Sequence, residues 1–487
     1  MHRMRRVLVL AIATALLASG SGFAASAYAP TGGAVFNKPR HFGTEADHYR
    51  ILTTIEAAIN HTRPTAKDPH PIIMVTSFLL DRGVAVTDLI DACRRHVQVR
   101  VILDEDIDNR NSRRLIKALN ADNVKDRNGD GVADTKPKAG PCNRALRKGR
   151  TTTDGTLERS TKTVKRQLPY FANRYRKPSM SVAAARQSVR IVPGDTEVTW
   201  GKDGSYVKKC DGSCRGPGGN MHSKMYLFSH TGSAKNVVME SSSNLNRGGA
   251  LLGWNDLFVM PNRPKSYKVY AAIHREMTRD TKAGDKKVEV VDGPYTSRFF
   301  PMRHASKKND PTLRDLKTIG CTSALGPTQV HVSMFYWKGY RGDYLLDKLL
   351  SLARSGCQVS VIYGAPSVAI AGRLRNAAKA GLVDLYDSRW DFNEDGFNEI
   401  RTHAKYVLVK GTVGTNHSSY QVWTGSQNWV GGSLTKGDEI SLNIATKSAY
   451  NRYIGDWTMI KNHSRKIPAP PDSTTTARTS TRSYDAV

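Results

Sequence analysis

Two stretches of this 487-residue chain carry one pattern. "NMHSKMYLFS" (220–229) and "RTHAKYVLVK" (401–410) each hold a His, one spacer, a Lys and an apolar run of strand type, which puts His222 and His403 in the same local setting 181 positions apart. The surroundings repeat in the same order. "PHPIIMVTSFLL", "TDLIDACRRH" and "VQVRVILDE" (69–105) read as strand, amphipathic helix and strand, and "TQVHVSMFYW", "DYLLDKLLSLARSG" and "CQVSVIYG" (328–364) read the same way. Each HxK is followed by a strand ending in Ser and Asn ("NVVMESSSNLN", "YQVWTGSQNWV"), an acidic strand start ("WNDLFVM", "GDEISLNI") and a closing helix. Chance does not align so many elements. The sequence therefore predicts an internal duplication: an α/β fold of two similar lobes, 28–305 and 306–466, each a mixed sheet flanked by helices, with one shared site at their interface.

Two imidazoles, two ammonium groups and two carboxamides brought together in this way make a site for a phosphodiester. Lys224 and Lys405 would neutralise its non-bridging oxygens, and Asn244 and Asn428 would donate hydrogen bonds to them as charge develops. One His attacks phosphorus while the other protonates the leaving oxygen and then activates water, so a phosphohistidine forms and is hydrolysed with no catalytic metal. An imidazole nucleophile works better when a carboxylate holds its other ring nitrogen. Asp256, 34 residues after His222, and Glu439, 36 after His403, are the expected orienters, each behind the imidazole of the opposite lobe.

At these residues the chain resembles the phospholipase D superfamily, whose HKD motif reads HxK, four residues, Asp, and then a Gly/Ser and Asn element. His222, Lys224, Ser243 and Asn244 match it in the first half, and His403, Lys405, Gly425, Ser426 and Asn428 in the second. The pattern departs at one place in each copy: Ser229 and Lys410 stand where the family has Asp, which is closer to the HxK and Asn form of the tyrosyl-DNA phosphodiesterases. The resemblance implies a phosphodiesterase with His222 as nucleophile and His403 as general acid, whereas the spacing alone leaves the two roles interchangeable. It further implies a phospholipid or membrane surface as substrate and a chain acting as a monomer. A nuclease of the same superfamily is the alternative, and a polyanion-binding protein with an inactive site is the rival from a different class.

A second motif also occurs twice. "DRNGDGVAD" (126–134) and "DFNEDGFNE" (391–399) both read DxNxDGxx and then an acid, at what looks like the same place in each half. Oxygens of Asp126, Asn128, Asp130 and Asp134, and of Asp391, Asn393, Asp395 and Glu399, stand at positions 1, 3, 5 and 9, with Gly at 6 for the sharp turn. That is the opening of a calcium loop, without the bidentate Glu at position 12. The expectation is structural calcium rather than a cofactor of catalysis.

Both ends of the chain bear on where it works. "MHRMRRVLVLAIATALLASGSGFAASAYAP" has a cationic start, an apolar run and a small-residue exit, so 1–27 reads as a signal peptide and the mature chain as secreted. In an oxidising compartment the six cysteines favour disulfides, and the expected pairs are Cys210 with Cys214, Cys321 with Cys357 and Cys93 with Cys142. A zinc site on Cys210, Cys214 and His222 is the competing reading. The formal charge is +30, and loss of Arg3, Arg5 and Arg6 with the leader leaves +27, an affinity for polyanions of no particular kind. The first half also carries an insertion, about 135–219. Residues 135–190 hold fifteen Lys or Arg against Asp154 and Glu158, as expected of a polyanion-binding flap. The Pro-, Ser- and Thr-rich tail, 467–487, is expected to be disordered.

Overall fold

The computed structural model describes residues 28–119, 142, 204–282 and 288–468. The leader, the first DxNxDG loop (Asp126, Asn128, Asp130, Asp134), the basic stretch 135–190 apart from Cys142, and the tail from 469 on lie outside the described residues.

The first sheet is built from β1 (Gly33–Phe36), β2 (Ile72–Ser77), β3 (Gln98–Asp104), β4 (Tyr206–Cys210), β5 (Met225–Thr231), β6 (Ala234–Ser241) and β7 (Asp256–Met260). The second has β8 (Val288–Asp292), β9 (Tyr295–Phe300), β10 (Gln329–Trp337), β11 (Gln358–Pro366), β12 (Asp384–Asp387), β13 (Lys405–Val413), β14 (Asn416–Gly425), β15 (Glu439–Ile444) and β16 (Arg465–Ile467). Their orders are β1-β7-β6-β5-β2-β3-β4 and β16-β12-β11-β10-β13-β14-β15-β9-β8. In both, the βαβ strands run parallel and the strand that follows HxK pairs antiparallel with the first of them. Thr76 faces Met225 in one sheet and Met334 faces Lys405 in the other, so Ser77, Phe78 and Lys224 are the counterparts of Met334, Phe335 and Lys405.

Helices α1 (Glu45–His61), α2 (Gly83–Arg94) and α3 (Arg110–Leu119) bury their apolar faces on one side of the first sheet. The helices α5 (Gly339–Arg354) and α6 (Val368–Lys379) do the same for the second. Between the sheets a single buried cluster joins residues of both to α4 (Pro264–Arg279) and α7 (Lys447–Asn462). The lobes thus share one core, and the strand ends that carry the His and Lys residues meet along it. No helix among the described residues is long and apolar enough to cross a membrane.

Two boundaries differ from the sequence expectation. Residues 288–300, expected in the first lobe, form β8 and β9 and extend the second sheet, because β9 pairs with β15 from Tyr295–Ile444 to Phe300–Glu439 as β1 pairs with β7. The end of the expected insertion is also part of the scaffold. β4 lies parallel to β3 at the sheet edge, as β12 lies beside β11. The loop 391–399 therefore follows its edge strand whereas 126–134 precedes its own, so the two DxNxDG motifs do not occupy the same place in the two halves.

All six cysteines are paired, as Cys93–Cys142, Cys210–Cys214 and Cys321–Cys357. The Cys210–Cys214 bond removes both thiols from the zinc reading.

Candidate active site

Each HxK segment enters a strand from the end of the sheet, and each is tied to the opposite lobe. The His222 N–H donates to Asp438 O at 3.0 Å, and the His403 N–H donates to Trp254 O at 2.9 Å. The next residue in each partner segment then meets the imidazole. His222 Nδ1 lies 2.9 Å from Glu439 Oε2, and His403 Nδ1 lies 2.8 Å from Asn255 Oδ1. A carboxylate and an amide oxygen can only accept, so both rings carry a proton on Nδ1, which leaves Nε2 as the nitrogen able to attack or to exchange a proton. Asn255 is held in that orientation because its Nδ2 donates to Gly249 O and Gly253 O, and its N–H donates to Asn37 Oδ1.

Glu439 therefore sits where the sequence placed it, behind the imidazole of the other lobe, and Asp256 does not. Ser241 comes 19 positions after His222 and Gly425 comes 22 after His403, a difference of three, whereas pairing Asp256 with Glu439 (34 and 36 after their His) assumes a difference of two and so falls one residue out of register. Ser241 faces Leu257 and Gly425 faces Ser441, which makes Asn255 the counterpart of Glu439 and Asp256 the counterpart of Ile440. One step along a strand moves a side chain to the other face. Asp256 is buried between the sheets, where Thr424 Oγ1 and Tyr453 OH donate to its Oδ2 at 2.5 and 2.8 Å.

The ammonium groups are buried as well, and each donates to the carbonyl of its own motif, Lys224 to His222 O and Lys405 to His403 O. Asn244 Oδ1 accepts the Leu79 N–H at 3.1 Å and Asn428 Oδ1 accepts the Tyr336 N–H at 3.2 Å, matching positions that leave each amide nitrogen as the donor. Arg341, paired with Asp310 in the interior, donates to Asn428 O and to Gln427 Oε1 and so clamps the second of these loops. Phenylalanines form the walls. The Phe78 ring centre is 5.2 Å from that of His222, and the Phe335 centre is 4.7 Å from that of His403.

Burial dominates the electrostatics. It draws His222 down to about 4 against the pull of Glu439, and Lys224 down to about 7. His403 and Lys405 fall well below their ordinary values, first through burial and then through their cationic neighbours, which include Lys224 in both cases. Burial pushes the other way on Glu439, yet the charge and hydrogen bond of His222 hold it below the usual carboxylate value. Ser426 Oγ and Ser433 Oγ complete its shell at 2.5 and 2.8 Å. Next to it, Asp438 accepts from Ser213 Oγ and from the N–H groups of Cys214 and Arg215, so the disulfide-closed loop props the segment that carries Glu439. The site is short of negative charge, and an anion bound in it would raise all the depressed cations.

Several groups escaped the sequence reading. Asn255 was hidden by the one-residue slip. Phe78 and Phe335 were visible as matching positions in "TSFLL" and "SMFYW". At the missing Asp positions, Ser229 Oγ accepts the Ile72 N–H and donates to Asp68, while Lys410 is half-buried opposite Gln329.

The second DxNxDG loop brings the carboxylates of Asp391, Asp395 and Glu399 within 4.8 Å of one another. Asn393 departs from the expected ligand set, because its Oδ1 accepts the Asp395 N–H. Burial, followed by the charges of Asp395 and Asp391, pushes Glu399 up to about 6.

Fold and site together define a two-lobed α/β protein with paired HxK groups held across the lobe interface. Residues 322–457 match the family model described as cardiolipin synthase, PLD-like domain, which supports membership of the phospholipase D superfamily. No curated protein matches the sequence. Similar solved structures include polyphosphate kinase from Porphyromonas gingivalis (11% identity, TM-score 0.46), of which the match covers 50% against 88% of this chain. Phosphatidylserine synthase of Haemophilus influenzae Rd KW20 is 12% identical with a TM-score of 0.45, over 89% of this chain and 87% of that one. Yeast tyrosyl-DNA phosphodiesterase is 8% identical with a TM-score of 0.39, over 89% and 92%. The chain spans about half the length of the polyphosphate kinase.

The two imidazoles differ in their partners, one an anion and one a neutral amide. Asn255→Asp should give His403 a carboxylate of its own and raise its pKa, by roughly one to three units for a charge at this distance. NMR titration of the ring protons checks this. An unchanged His403 pKa in a folded Asn255→Asp protein would show that residue 255 does not face the ring.

Proposed function

We propose that the protein is an exported phosphodiesterase that hydrolyses the head-group phosphodiester of a phospholipid through a phosphohistidine on His222. The observation that carries this reading is the crossed support of the two imidazoles, with Glu439 on His222 and Asn255 on His403. A phosphorylated imidazole that keeps its Nδ1–H is a cation, and a carboxylate stabilises it where an amide does not. His222 Nε2 attacks phosphorus in line, the bond to the leaving oxygen breaks, and its electron pair takes the proton from His403 Nε2. His403 then removes a proton from water, the water oxygen attacks phosphorus, and the N–P bond breaks to return neutral His222. Lys224, Lys405 and the amide N–H groups of Asn244 and Asn428 hold the non-bridging oxygens throughout. Three disulfides support an oxidising compartment and therefore export of the mature chain. The lipid substrate is supported by the description of the matching family model, and the excess of positive charge favours an anionic surface.

The test is hydrolysis of phosphatidylcholine and phosphatidylglycerol vesicles, with plasmid DNA as the competing substrate, by wild type and by His222→Ala and His403→Ala. The variants should lose about a hundredfold to ten-thousandfold in turnover while keeping the wild-type melting temperature. With an aryl phosphodiester, whose leaving group needs no acid, His403→Ala should accumulate a phosphoryl adduct on the peptide holding His222. Wild-type turnover in either variant would overturn the shared site, and cleavage of DNA alone would move the substrate to nucleic acid.

Calcium is proposed for the 391–399 loop in a structural role. Three carboxylates within 4.8 Å repel one another unless a cation lies among them, and a ligand that binds only the folded state stabilises it by mass action. Millimolar calcium should raise the melting temperature by a few degrees over EDTA, and Asp391→Asn should remove the difference. A melt insensitive to calcium would contradict the proposal.

A further inference from the structure

Arg401 lies outside the HxK pattern yet shares the second wall of the site. It stands two residues before His403, and alternation along an extended chain puts 401, 403 and 405 on one face. The contacts agree with that placement. The Phe335 ring centre is 5.3 Å from the Arg401 guanidinium carbon, 4.7 Å from the centre of the His403 ring and 5.0 Å from Lys405 Nζ. Guanidinium and imidazole, 5.3 and 4.7 Å from one point, are thus no more than about 10 Å apart. Arg401 Nη1 donates to Asn398 O at 2.9 Å, which fixes the head against the ring. Its charge is felt in the site, since after burial, Lys405, Lys224 and His222 it also holds His403 down.

The first half has a neutral residue at the same place: Asn220 stands two before His222. A scissile phosphodiester carries one negative charge, and Lys224 and Lys405 already face it. A further cation placed only beside the general acid faces the group that departs, because His403 is the residue that protonates the leaving oxygen. Arginine suits a phosphate better than a point charge would, since its planar fork donates two parallel hydrogen bonds.

We propose that Arg401, stacked on Phe335, forms a subsite for a second phosphate carried by the leaving alcohol, and so selects phosphodiesters whose departing group is itself anionic. The inference rests on the phosphodiesterase reading above and on His403 as its acid. The second phosphate would sit across a glycerol in a lipid or across a sugar in a nucleotide.

The experiment compares two matched pairs that differ only in that phosphate. One is short-chain phosphatidylglycerol against phosphatidylglycerol phosphate, and the other is a thymidine dinucleotide with and without a phosphate on its leaving nucleoside. Wild type should prefer the phosphorylated member of a pair by about tenfold to a hundredfold in kcat/KM, as for one hydrogen bond to a charged group. Arg401→Gln should collapse that ratio and Arg401→Lys should restore part of it, with the loss falling mainly on KM. A merely structural arginine would lower both members alike and leave the ratio in place. Preference in the lipid pair supports the subsite with a lipid, and preference in the dinucleotide pair supports it with a nucleic acid. Cleavage without preference, or a preference that survives Arg401→Gln, overturns the subsite and leaves the phosphodiesterase reading standing. If wild type cleaves phosphatidylcholine or plasmid DNA but no member of either pair, the subsite falls and the phosphodiesterase reading stands; if it cleaves none of these substrates, both fall.

Discussion

Each lobe holds the histidine of the other, and the rest of the site is arranged around that exchange. The backbone of His222 is tied to Asp438 and its ring to Glu439, while His403 is tied to Trp254 and Asn255. Neither imidazole can be oriented by its own half of the molecule, so the chemistry exists only when both sheets are packed on their common core. That packing carries an electrostatic cost, because two ammonium groups and two imidazoles are taken from water into one place. The depressed values of Lys224 and Lys405 record it. A bound anion would relieve it, so affinity for anionic charge would be a property of the fold and not of one residue.

The two halves are alike in strand order and unlike in charge. Glu439 gives His222 an anion, and Asn255 gives His403 a neutral amide. Arg401 adds a cation to the His403 side, where Asn220 stands in the other half. Unequal partners on matching strands suit the proposed two-step reaction, in which one ring would carry phosphorus and the other would give up and regain a proton.

The local periodicities were legible in the sequence. The βαβ units, the HxK strands and the Ser/Asn turns appear where the apolar alternation put them, and Glu439 could be named because an acidic strand start follows the Ser/Asn turn in its half. What was not legible depends on pairing between distant strands. The hairpin of the second half is three residues longer between His403 and Gly425 than its counterpart, where the offsets of Asp256 and Glu439 imply two, and the missing residue exchanged Asn255 for Asp256. Residues 288–300 carry no mark that assigns them to the second sheet, because the choice is made by the free edge of β15. The DxNxDG motifs look equivalent as text, yet the edge strand β4 falls after one of them and β12 before the other.

The central claim is that phosphorus is displaced twice, first by His222 and then by water activated by His403. The stereochemical course at phosphorus tests it directly, with a substrate made chiral at the scissile phosphorus by a sulfur substituent and hydrolysed in oxygen-labelled water, so that the product phosphorus is also chiral. Each in-line displacement inverts the centre, so two in sequence give a product of retained configuration. Inversion would mean that water attacks the substrate directly, and it would contradict the account however strongly the histidine variants lost activity.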